Sequence, residues 1–152
     1  MTTKGIIYQD FEKLPHYIGF KHKQGKLIDF GGEEYGFAQY QKGKDHILVF
    51  EKLHRMNGNH AVWELLDTIR VKEPNNKEWS FDTNGEQCQD KIIPFNQFVV
   101  RHTYDPVSPQ SDTFKAEQAW RFDFINRKLL PMLVKDILCI EYDPGCVGED
   151  EE

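Results

Sequence analysis

Apolar side chains recur at every second position along most of this chain, and short polar stretches rich in Gly, Asn and Pro interrupt the pattern. Alternation with a period of two predicts half-buried β-strands, because successive side chains of a strand point to opposite faces of the sheet. The pattern predicts nine or ten short strands. They lie at 16–22, 26–30, 35–40, 46–54, 61–71, 79–81, 98–104, 119–124, 128–133 and 136–142.

Only two stretches favour a helix. Residues 10–14 can form a single turn ahead of Pro15, and residues 111–119 combine a capping Asp112 with several strong helix formers. Many short strands joined by tight turns are typical of all-β proteins with antiparallel sheets. The predicted fold class is therefore all-β, or β-dominated with one or two short helices. We expect an antiparallel meander that closes into a barrel or folds into a two-layer sandwich.

Chain length and charge distribution predict one domain with an acidic tail. A length of 152 residues is that of one ordinary domain. The 19 Lys and Arg residues are outnumbered by 25 Asp and Glu residues, and four of these acids end the chain at 149–152. We expect a single antiparallel β domain at 1–144 and a solvated acidic tail at 145–152. The net charge of −6 argues against binding to nucleic acid, which requires a basic surface.

The clearest turn signal is Asn57-Gly58, which favours a type I′ turn because both central residues of such a turn need a positive φ. A two-residue turn at this position pairs Met56 with Asn59. The strands on either side carry apolar side chains on both faces, for example Val49 and Phe50 on opposite faces. We therefore expect this hairpin to be central in its sheet and covered on both sides.

Two glutamates of this hairpin, Glu51 and Glu64, come nearest to a catalytic pair. In the predicted register they face each other, and two acids in one apolar site push their pKa values apart, as acid–base catalysis requires. The alternative is a register shifted by one residue, which places Lys52 opposite Glu64 and removes the like-charge pair. The sequence leaves the register open.

Isolated polar residues on apolar strand faces are candidates for ligand contacts. Asp67 lies on the strand face that also carries Trp63, and His102 is flanked on its face by Phe98. A buried acid or imidazole needs polar partners, which a bound ligand or the surrounding protein can supply. The alternative is that these side chains belong to an ordinary core. The predicted lining of a ligand cavity consists of Trp63, Asp67, Phe98, His102, Trp120 and Phe122.

Three arginines also lie inside predicted strands, namely Arg70, Arg101 and Arg121. They can form a ladder with acidic neighbours on a solvated sheet face, where each ion pair contributes little. Alternatively, their guanidinium groups can hold the carboxylate of a ligand. These arginines join Glu51 and Glu64 as secondary polar candidates.

The cysteines and histidines predict neither disulfides nor a metal site. Cys88, Cys139 and Cys146 are odd in number and lack both a disulfide framework and a C-x-x-C motif, so reduced thiols are expected. The six histidines match no metal-binding motif and no nucleotide-binding loop occurs, so we expect no metal and no cofactor. The first residues lack an apolar secretory signal, and no apolar run could span a membrane, which favours a cytoplasmic location.

The sequence favours a binding protein over an enzyme. Aromatic-rich strands with isolated polar side chains are typical of ligand cavities, so the leading hypothesis is a non-catalytic module for a small apolar or carboxylate-bearing ligand. One alternative is an acidic interaction protein that inhibits a basic protein partner. A further alternative is a hydrolase or isomerase that uses Asp67 or Glu64 with His102. The identity of the ligand and the oligomeric state stay open.

Overall fold

The structure is a computed structural model, and it describes residues 4–73, 78–83, 88–94, 97–104 and 113–140. Within these ranges the chain forms strands and two short 3-10 helical turns, so the predicted all-β class is confirmed. The 3-10 turns are Phe11–Lys13 and Pro15–Tyr17. The strands are β1 Ile7–Tyr8, β2 Lys21–Phe30, β3 Glu33–Lys42, β4 Asp45–Asn57, β5 His60–Lys72, β6 Glu78–Asp82, β7 Cys88–Asp90, β8 Phe98–Tyr104, β9 Thr113–Asp123, β10 Lys128–Met132 and β11 Ile137–Ile140.

The chain divides into two compact units. The first comprises Met1–Pro74 and Trp120–Pro131, and the second comprises Asn75–Ala119 and Met132–Glu152. Strand β9 contributes residues to both units. The single domain expected at 1–144 stays a prediction, and the acidic tail at 145–152 lies outside the described residues.

Both sheets are antiparallel and open. The first sheet has five strands in the order β1-β5-β4-β3-β2. The second has six strands, in the order β6-β8-β9-β11-β7 with β10 beside β9. Among the strands that the structure describes, no ladder joins the first strand of a sheet to its last. The closed barrel is therefore wrong, and the sandwich is the remaining alternative that fits.

Strand β2 passes through a stretch where the alternation breaks and the sequence predicts a turn at 23–25. The strand is instead continuous there, with a bulge between His22 and Gln24. Gly25 serves a close approach of two strands, because a Cβ at this position would lie 2.6 Å from the backbone oxygen of Phe37. The glycine is thus required by packing inside the sheet and not by a turn.

The helix predictions are confirmed at one position and wrong at the other. The turn predicted at 10–14 is present as the first 3-10 turn. The second 3-10 turn, Pro15–Tyr17, occupies the start of the strand that was expected at 16–22. The helix considered for 111–119 is wrong from Thr113 onward, where β9 begins. Pairing across the sheet overrides the helical preference of these side chains.

The β4–β5 hairpin turns one residue later than the sequence predicts. Asn57 pairs with His60, so the two residues of the turn are Gly58 and Asn59. Gly58 has a φ of +62° and is the first central residue, which is the pattern of a type II′ turn. The turn residue is the predicted glycine, but the turn type and the register differ. Two bulges then shift the pairing by one residue in the middle of the hairpin.

Both faces of the first sheet are covered, as expected for the hairpin. The first face carries Ile47 and Val49, which pack against aromatic residues of the N-terminal part of the chain. The second face carries Phe37 and Phe50, whose ring centroids lie 5.6 and 5.3 Å from that of Phe122. Full burial of one such side chain contributes about 1.5–3 kcal/mol, so both layers stabilise the sheet.

A chain of hydrogen bonds, which we call the glutamine–histidine relay, crosses the first sheet. Gln24 Nε2 donates to Gln39 Oε1 at 2.7 Å, and Gln39 Nε2 donates to His46 Nδ1 at 2.9 Å. His46 Nε2 then carries the ring proton and donates to Glu73 Oε1 at 3.2 Å. Gln39 and His46 are both buried, and the relay offsets the cost of removing their polar atoms from water.

A disulfide joins β7 and β11 in the second unit. Cys88 and Cys139 face each other across the ladder between these strands and are bonded through their sulfur atoms. The expectation of reduced thiols is therefore wrong for these two residues, because spacing in the sequence does not show which distant positions the fold brings together. The cytoplasmic location loses this support and stays a prediction. Cys146 lies outside the described residues.

Candidate functional site

The first unit contains an open cavity of 410 Å³. Its lining comes from residues 9–13, which include the first 3-10 turn, and from one residue each of β2 and β3. The lining residues are Gln9, Asp10, Phe11, Glu12, Lys13, His22 and Tyr40. Five of the seven therefore belong to the stretch that follows β1.

Phe11 fixes this stretch to the first face of the sheet. Its ring is stacked between those of Tyr17 and Tyr40, with centroid distances of 4.2 and 4.5 Å, and it is only 2% exposed. Tyr8 meets the same ring in a T-shaped arrangement at 5.7 Å. Each aromatic pair of this kind adds about 0.5–1.5 kcal/mol beyond the burial of area. Both faces of the Phe11 ring are therefore occupied by other aromatic rings.

His22 forms another part of the wall. Its ring is T-shaped to Tyr40 at 5.4 Å, and its Nε2 lies 3.3 Å from the position that a Cβ on Gly25 would take. Its backbone N–H donates to Glu12 Oε1 at 2.7 Å. Gly25 thus leaves room for the imidazole, and Glu12 ties the first 3-10 turn to the edge strand β2.

The charged groups of the lining are two carboxylates and one ammonium group. Lys13 Nζ lies 3.3 Å from Asp10 Oδ2 within the same turn. Gln9 Oε1 accepts a hydrogen bond from Asn57 Nδ2 at 3.4 Å. Asp10 and Glu12 against Lys13 give the lining a formal charge of −1, since two negative charges meet one positive charge.

A buried carboxyl group, that of Glu51, lies beside the aromatic residues of the first face. It is 7% exposed and accepts a hydrogen bond from the Tyr8 hydroxyl group. Burial raises the pKa of Glu51 to about 7, although the hydrogen bond from Tyr8 opposes this shift. Burial and the nearby Glu51 carboxylate also raise the pKa values of Tyr8 and Tyr40 above their ordinary range. Glu51 therefore changes its charge near neutral pH.

Gly36 on β3 provides the space for this carboxyl group. A Cβ at Gly36 would lie 2.8 Å from Glu51 Oε2 and 3.2 Å from Trp63 Cζ3. The side chains of Glu51 and Trp63, which are both sequence candidates, therefore meet over this glycine. Trp63 is partly buried and packs against the same cluster as Tyr8 and Phe11.

The predicted pairing of two glutamates is wrong. Glu51 faces Leu65 across the hairpin, and Glu64 faces Lys52. This is the alternative register, shifted by one residue, in which opposite charges replace the like-charge pair. Glu64 also forms an ion pair with Arg127 at 3.0 Å. The two carboxyl groups consequently have separate surroundings and do not act as a pair.

Asp67 has structural partners in the first unit. Its Oδ2 accepts a hydrogen bond from the backbone N–H of Leu129 at 2.9 Å. Its Oδ1 accepts one from the backbone N–H of Thr68 at 2.9 Å and lies 3.8 Å from Lys4 Nζ. An acid on an apolar strand face requires a polar partner, and for Asp67 this partner is the backbone N–H of Leu129 in β10. Asp67 therefore anchors β10 to β5.

The other predicted lining residues are divided between the two units. Phe122 packs on the second face of the first sheet, and Trp120 is buried in the same unit. Phe98 and His102 are buried in the second unit, where burial lowers the pKa of His102 against an opposing effect of Asp82. None of the six predicted lining residues is among those that line the cavity of the first unit.

The three predicted arginines have different surroundings. Arg70 lies over the ring of Phe20, with 5.5 Å between the guanidinium carbon and the ring centroid. Burial lowers the pKa of Arg101 in the second unit, against an opposing effect of Glu117. Arg121 is exposed on β9.

Sequence patterns do not indicate Phe11, His22 or Tyr40 as site residues. Phe11 lies outside the alternating strands, and His22 adjoins a stretch that resembles a hairpin tip. One signal was present, because an aromatic residue in a single helical turn ahead of Pro15 needs an apolar surface to cover it. The sequence does not show which surface this is.

Comparisons with known proteins leave the site to be judged from its geometry. The chain matches no model of a protein family, no curated protein and no solved structure. Across the described ranges, no helix has the length and apolar character needed to cross a membrane. Across the same ranges, no three His, Cys, Asp or Glu side chains are grouped as metal ligands.

Proposed function

We propose that this protein is a non-catalytic module that binds a small polar molecule in the cavity lined by residues 9–13, His22 and Tyr40. The observation that carries this proposal is the cavity of 410 Å³ between an aromatic wall and charged side chains. Binding sites for small molecules commonly have volumes of roughly 300–1,000 Å³ and combine an apolar wall with a few polar groups. The cavity has both properties.

The side chains of the lining favour a ligand with hydrogen-bond donors. Asp10 and Glu12 offer carboxylate oxygens as acceptors, and their charge exceeds that of Lys13. Ligand hydroxyl or ammonium groups would complement these acceptors, whereas a ligand carboxylate would meet an excess of negative charge. The proposal therefore keeps the binding role expected from the sequence but replaces the carboxylate-bearing ligand with a donor-bearing one.

Binding is favoured over catalysis by the position of Glu51. A general acid or base must lie within hydrogen-bond reach of the reacting group and have a pKa near the working pH. Burial places the pKa of Glu51 in that range, but its side chain is not part of the cavity lining and bonds to Tyr8 instead. The group with suitable acidity is thus separated from the space that a substrate would occupy.

A ligand screen with matched variants tests the proposal. The probes are monosaccharides, polyols and small amines, and binding is followed by NMR shifts of backbone amides. We expect shifts centred on residues 9–13 and His22, at least tenfold weaker binding in the double variant Asp10→Asn with Glu12→Gln, and unchanged binding in Glu34→Gln. Glu34 is exposed on β3 and does not line the cavity. Binding that maps to other residues, or no binding up to millimolar concentrations, would refute the proposal.

Two further hypotheses from the sequence stay as proposals without a supporting contact. The acidic interaction protein depends in part on the tail at 145–152, which lies outside the described residues. The hydrolase or isomerase depends on Asp67 or Glu64, and both carboxylates are engaged, by Leu129 and Arg127 respectively.

A further inference from the structure

The cavity is built largely by a short piece of chain, which we call the docking segment and which comprises residues 5–20. Its strand β1 is only two residues long and pairs with β5 at Glu64 and Trp63. Two further backbone hydrogen bonds, from Gly5 N to Leu65 O and from Leu65 N to Ile6 O, extend this contact. A segment with so few backbone bonds depends on its side chains for attachment to the sheet.

Two side chains of the docking segment supply much of that attachment. Phe11 is stacked between Tyr17 and Tyr40, as described above. Tyr8 donates its hydroxyl hydrogen to Glu51 of β4. The ring of Tyr8 is also T-shaped to that of Phe11. The ring of Tyr8 therefore connects the contact with Glu51 to the aromatic stack that holds residues 9–13 in place.

Among the described residues, no basic side chain acts on Glu51 to stabilise its ionised form, and only the hydrogen bond from Tyr8 lowers its pKa. Glu51 acts on the hydroxyl groups of Tyr8 from β1 and Tyr40 from β3, and Tyr17 from the second 3-10 turn acts in turn on Tyr8. Asp10 and Glu12 act on Tyr40 from the docking segment and are themselves negative. Strand β5 contributes the apolar Leu65 and the ring of Trp63. Ionisation of Glu51 thus places a charge in an aromatic layer, which is costly while the segment covers it.

We propose that Glu51 is a proton-operated latch, which holds the docking segment on the sheet when it is protonated and releases the segment when it is ionised. Release exposes the carboxylate to water and removes five of the seven side chains that line the cavity. The latch itself is independent of any ligand. Its consequence for binding, a lower affinity of the cavity above neutral pH, rests on the function proposed above.

The sign and size of the effect follow from proton linkage. In the docked state the pKa of Glu51 is about 7, so the carboxyl group keeps its proton up to about that pH. A solvated glutamate has an ordinary pKa of 4.5 and loses its proton near that pH. The docked state therefore binds the proton more tightly, and docking is favoured at low pH and weakened as the pH rises. With these two pKa values the docking equilibrium falls about tenfold between pH 6 and pH 8.

Hydrogen exchange of the backbone amides tests the latch without a ligand. Protection of the amides of Leu14, Tyr17 and Phe20, which donate within the docking segment, is compared at pH 6 and pH 8 after correction for intrinsic exchange. We expect about a tenfold loss of protection in the wild-type protein. We expect no loss in Glu51→Gln, and the wild-type loss in the control Glu64→Gln. Amides of 47–50 in β4 report whether the sheet itself stays intact.

A second variant keeps the test decisive if Glu51→Gln does not fold. The Tyr8 hydroxyl lowers the pKa of Glu51, so Tyr8→Phe is expected to move the pH at which protection falls to a higher value. A merely structural role of Tyr8 would lower protection at every pH without moving this midpoint. The latch is refuted if the wild type and Glu51→Gln show the same pH dependence, or if protection rises with pH. Failure of the ligand screen alone would refute the binding function and leave the latch standing.

Discussion

The disulfide between Cys88 and Cys139 allows a stability prediction that can be worked from the chain itself. The bond connects positions 51 residues apart and joins the three-residue strand β7 to β11. A covalent link of this kind stabilises the folded state mainly because it restricts the unfolded chain. The perturbation is the double variant Cys88→Ser with Cys139→Ser, which removes the link and leaves two small side chains.

The magnitude follows from the entropy of loop closure. For a loop of 51 residues, the chain-entropy relation gives a loss of about 4 kcal/mol in the free energy of unfolding at 25 °C. The measurement is urea unfolding of the double variant and of the wild type without reductant. We expect the midpoint of the variant to lie at a lower urea concentration by an amount that corresponds to this difference.

Reduction of the wild-type protein supplies the matched control. Reductant is expected to lower the stability of the wild type to that of the double variant and to leave the variant unchanged. Alkylation of the unfolded, unreduced wild type should spare Cys88 and Cys139, as peptide mass mapping can show. Labelling of these two residues, or equal unfolding midpoints for the wild type and the variant, would contradict the reasoning.

Three further predictions concern the first unit, and urea unfolding measures each of them. Glu51→Gln is expected to raise the free energy of unfolding by about 3 kcal/mol at pH 8 and not at pH 4. The reason is that the raised pKa of Glu51 gives the wild type stability that is fully present below pH 4.5 and is lost as the pH rises through about 7. A gain of equal size at both pH values would contradict this. Gly36→Ala is expected to lower the free energy of unfolding by about 1–3 kcal/mol, because the new Cβ would lie 2.8 Å from Glu51 Oε2. An unchanged unfolding midpoint would show that the carboxyl group moves freely. Asp67→Ala is expected to lower the free energy of unfolding by about 1–3 kcal/mol, because the backbone N–H of Leu129 loses its acceptor. The matched variant Glu64→Gln, which weakens an exposed ion pair, is expected to lower it by less than about 1 kcal/mol. Equal losses in the two variants would count against the anchoring role of Asp67.

The alternation of apolar residues predicts the strands well where the chain is a regular ladder. The strand expected at 98–104 coincides with β8, and those at 35–40 and 61–71 lie inside β3 and β5. The prediction fails at Gly25, because the sequence does not distinguish a glycine that allows two strands to approach closely from a glycine in a turn. Only the position of Phe37 across the ladder distinguishes the two.

The hairpin turn illustrates a second limit. Gly58 stands between Asn57 and Asn59, so a two-residue turn can consist of Asn57-Gly58 or of Gly58-Asn59. The first choice gives a type I′ turn and the second a type II′ turn, and both satisfy the local rules. The turn does not by itself fix the pairing further along the hairpin: with Gly58-Asn59 as the turn, Lys52 would face Leu65, and the bulge between Leu53 and Arg55 brings Glu64 opposite Lys52 instead. For this reason the alternative pairing of Lys52 with Glu64 could be named from the sequence but not selected.

The sequence predicts only part of the candidate site. Glu51 and Trp63 were candidates, and the structure places them together over Gly36. The cavity itself depends on Phe11, which stacks on Tyr40 from a stretch with no alternating pattern. Contacts between an irregular segment and a distant strand leave no periodic trace, so local patterns could not predict them.

The glutamine–histidine relay fixes how β2, β3 and β4 of the first sheet align with one another. Gln39 uses its oxygen toward Gln24 and its nitrogen toward His46, so each link accepts only one orientation of its neighbour. If β3 slid along β4 by two positions, the apolar pattern would still match face to face, but Gln39 and His46 would lose each other and leave buried polar atoms unmatched. The relay therefore rejects an alignment that hydrophobic packing alone would tolerate.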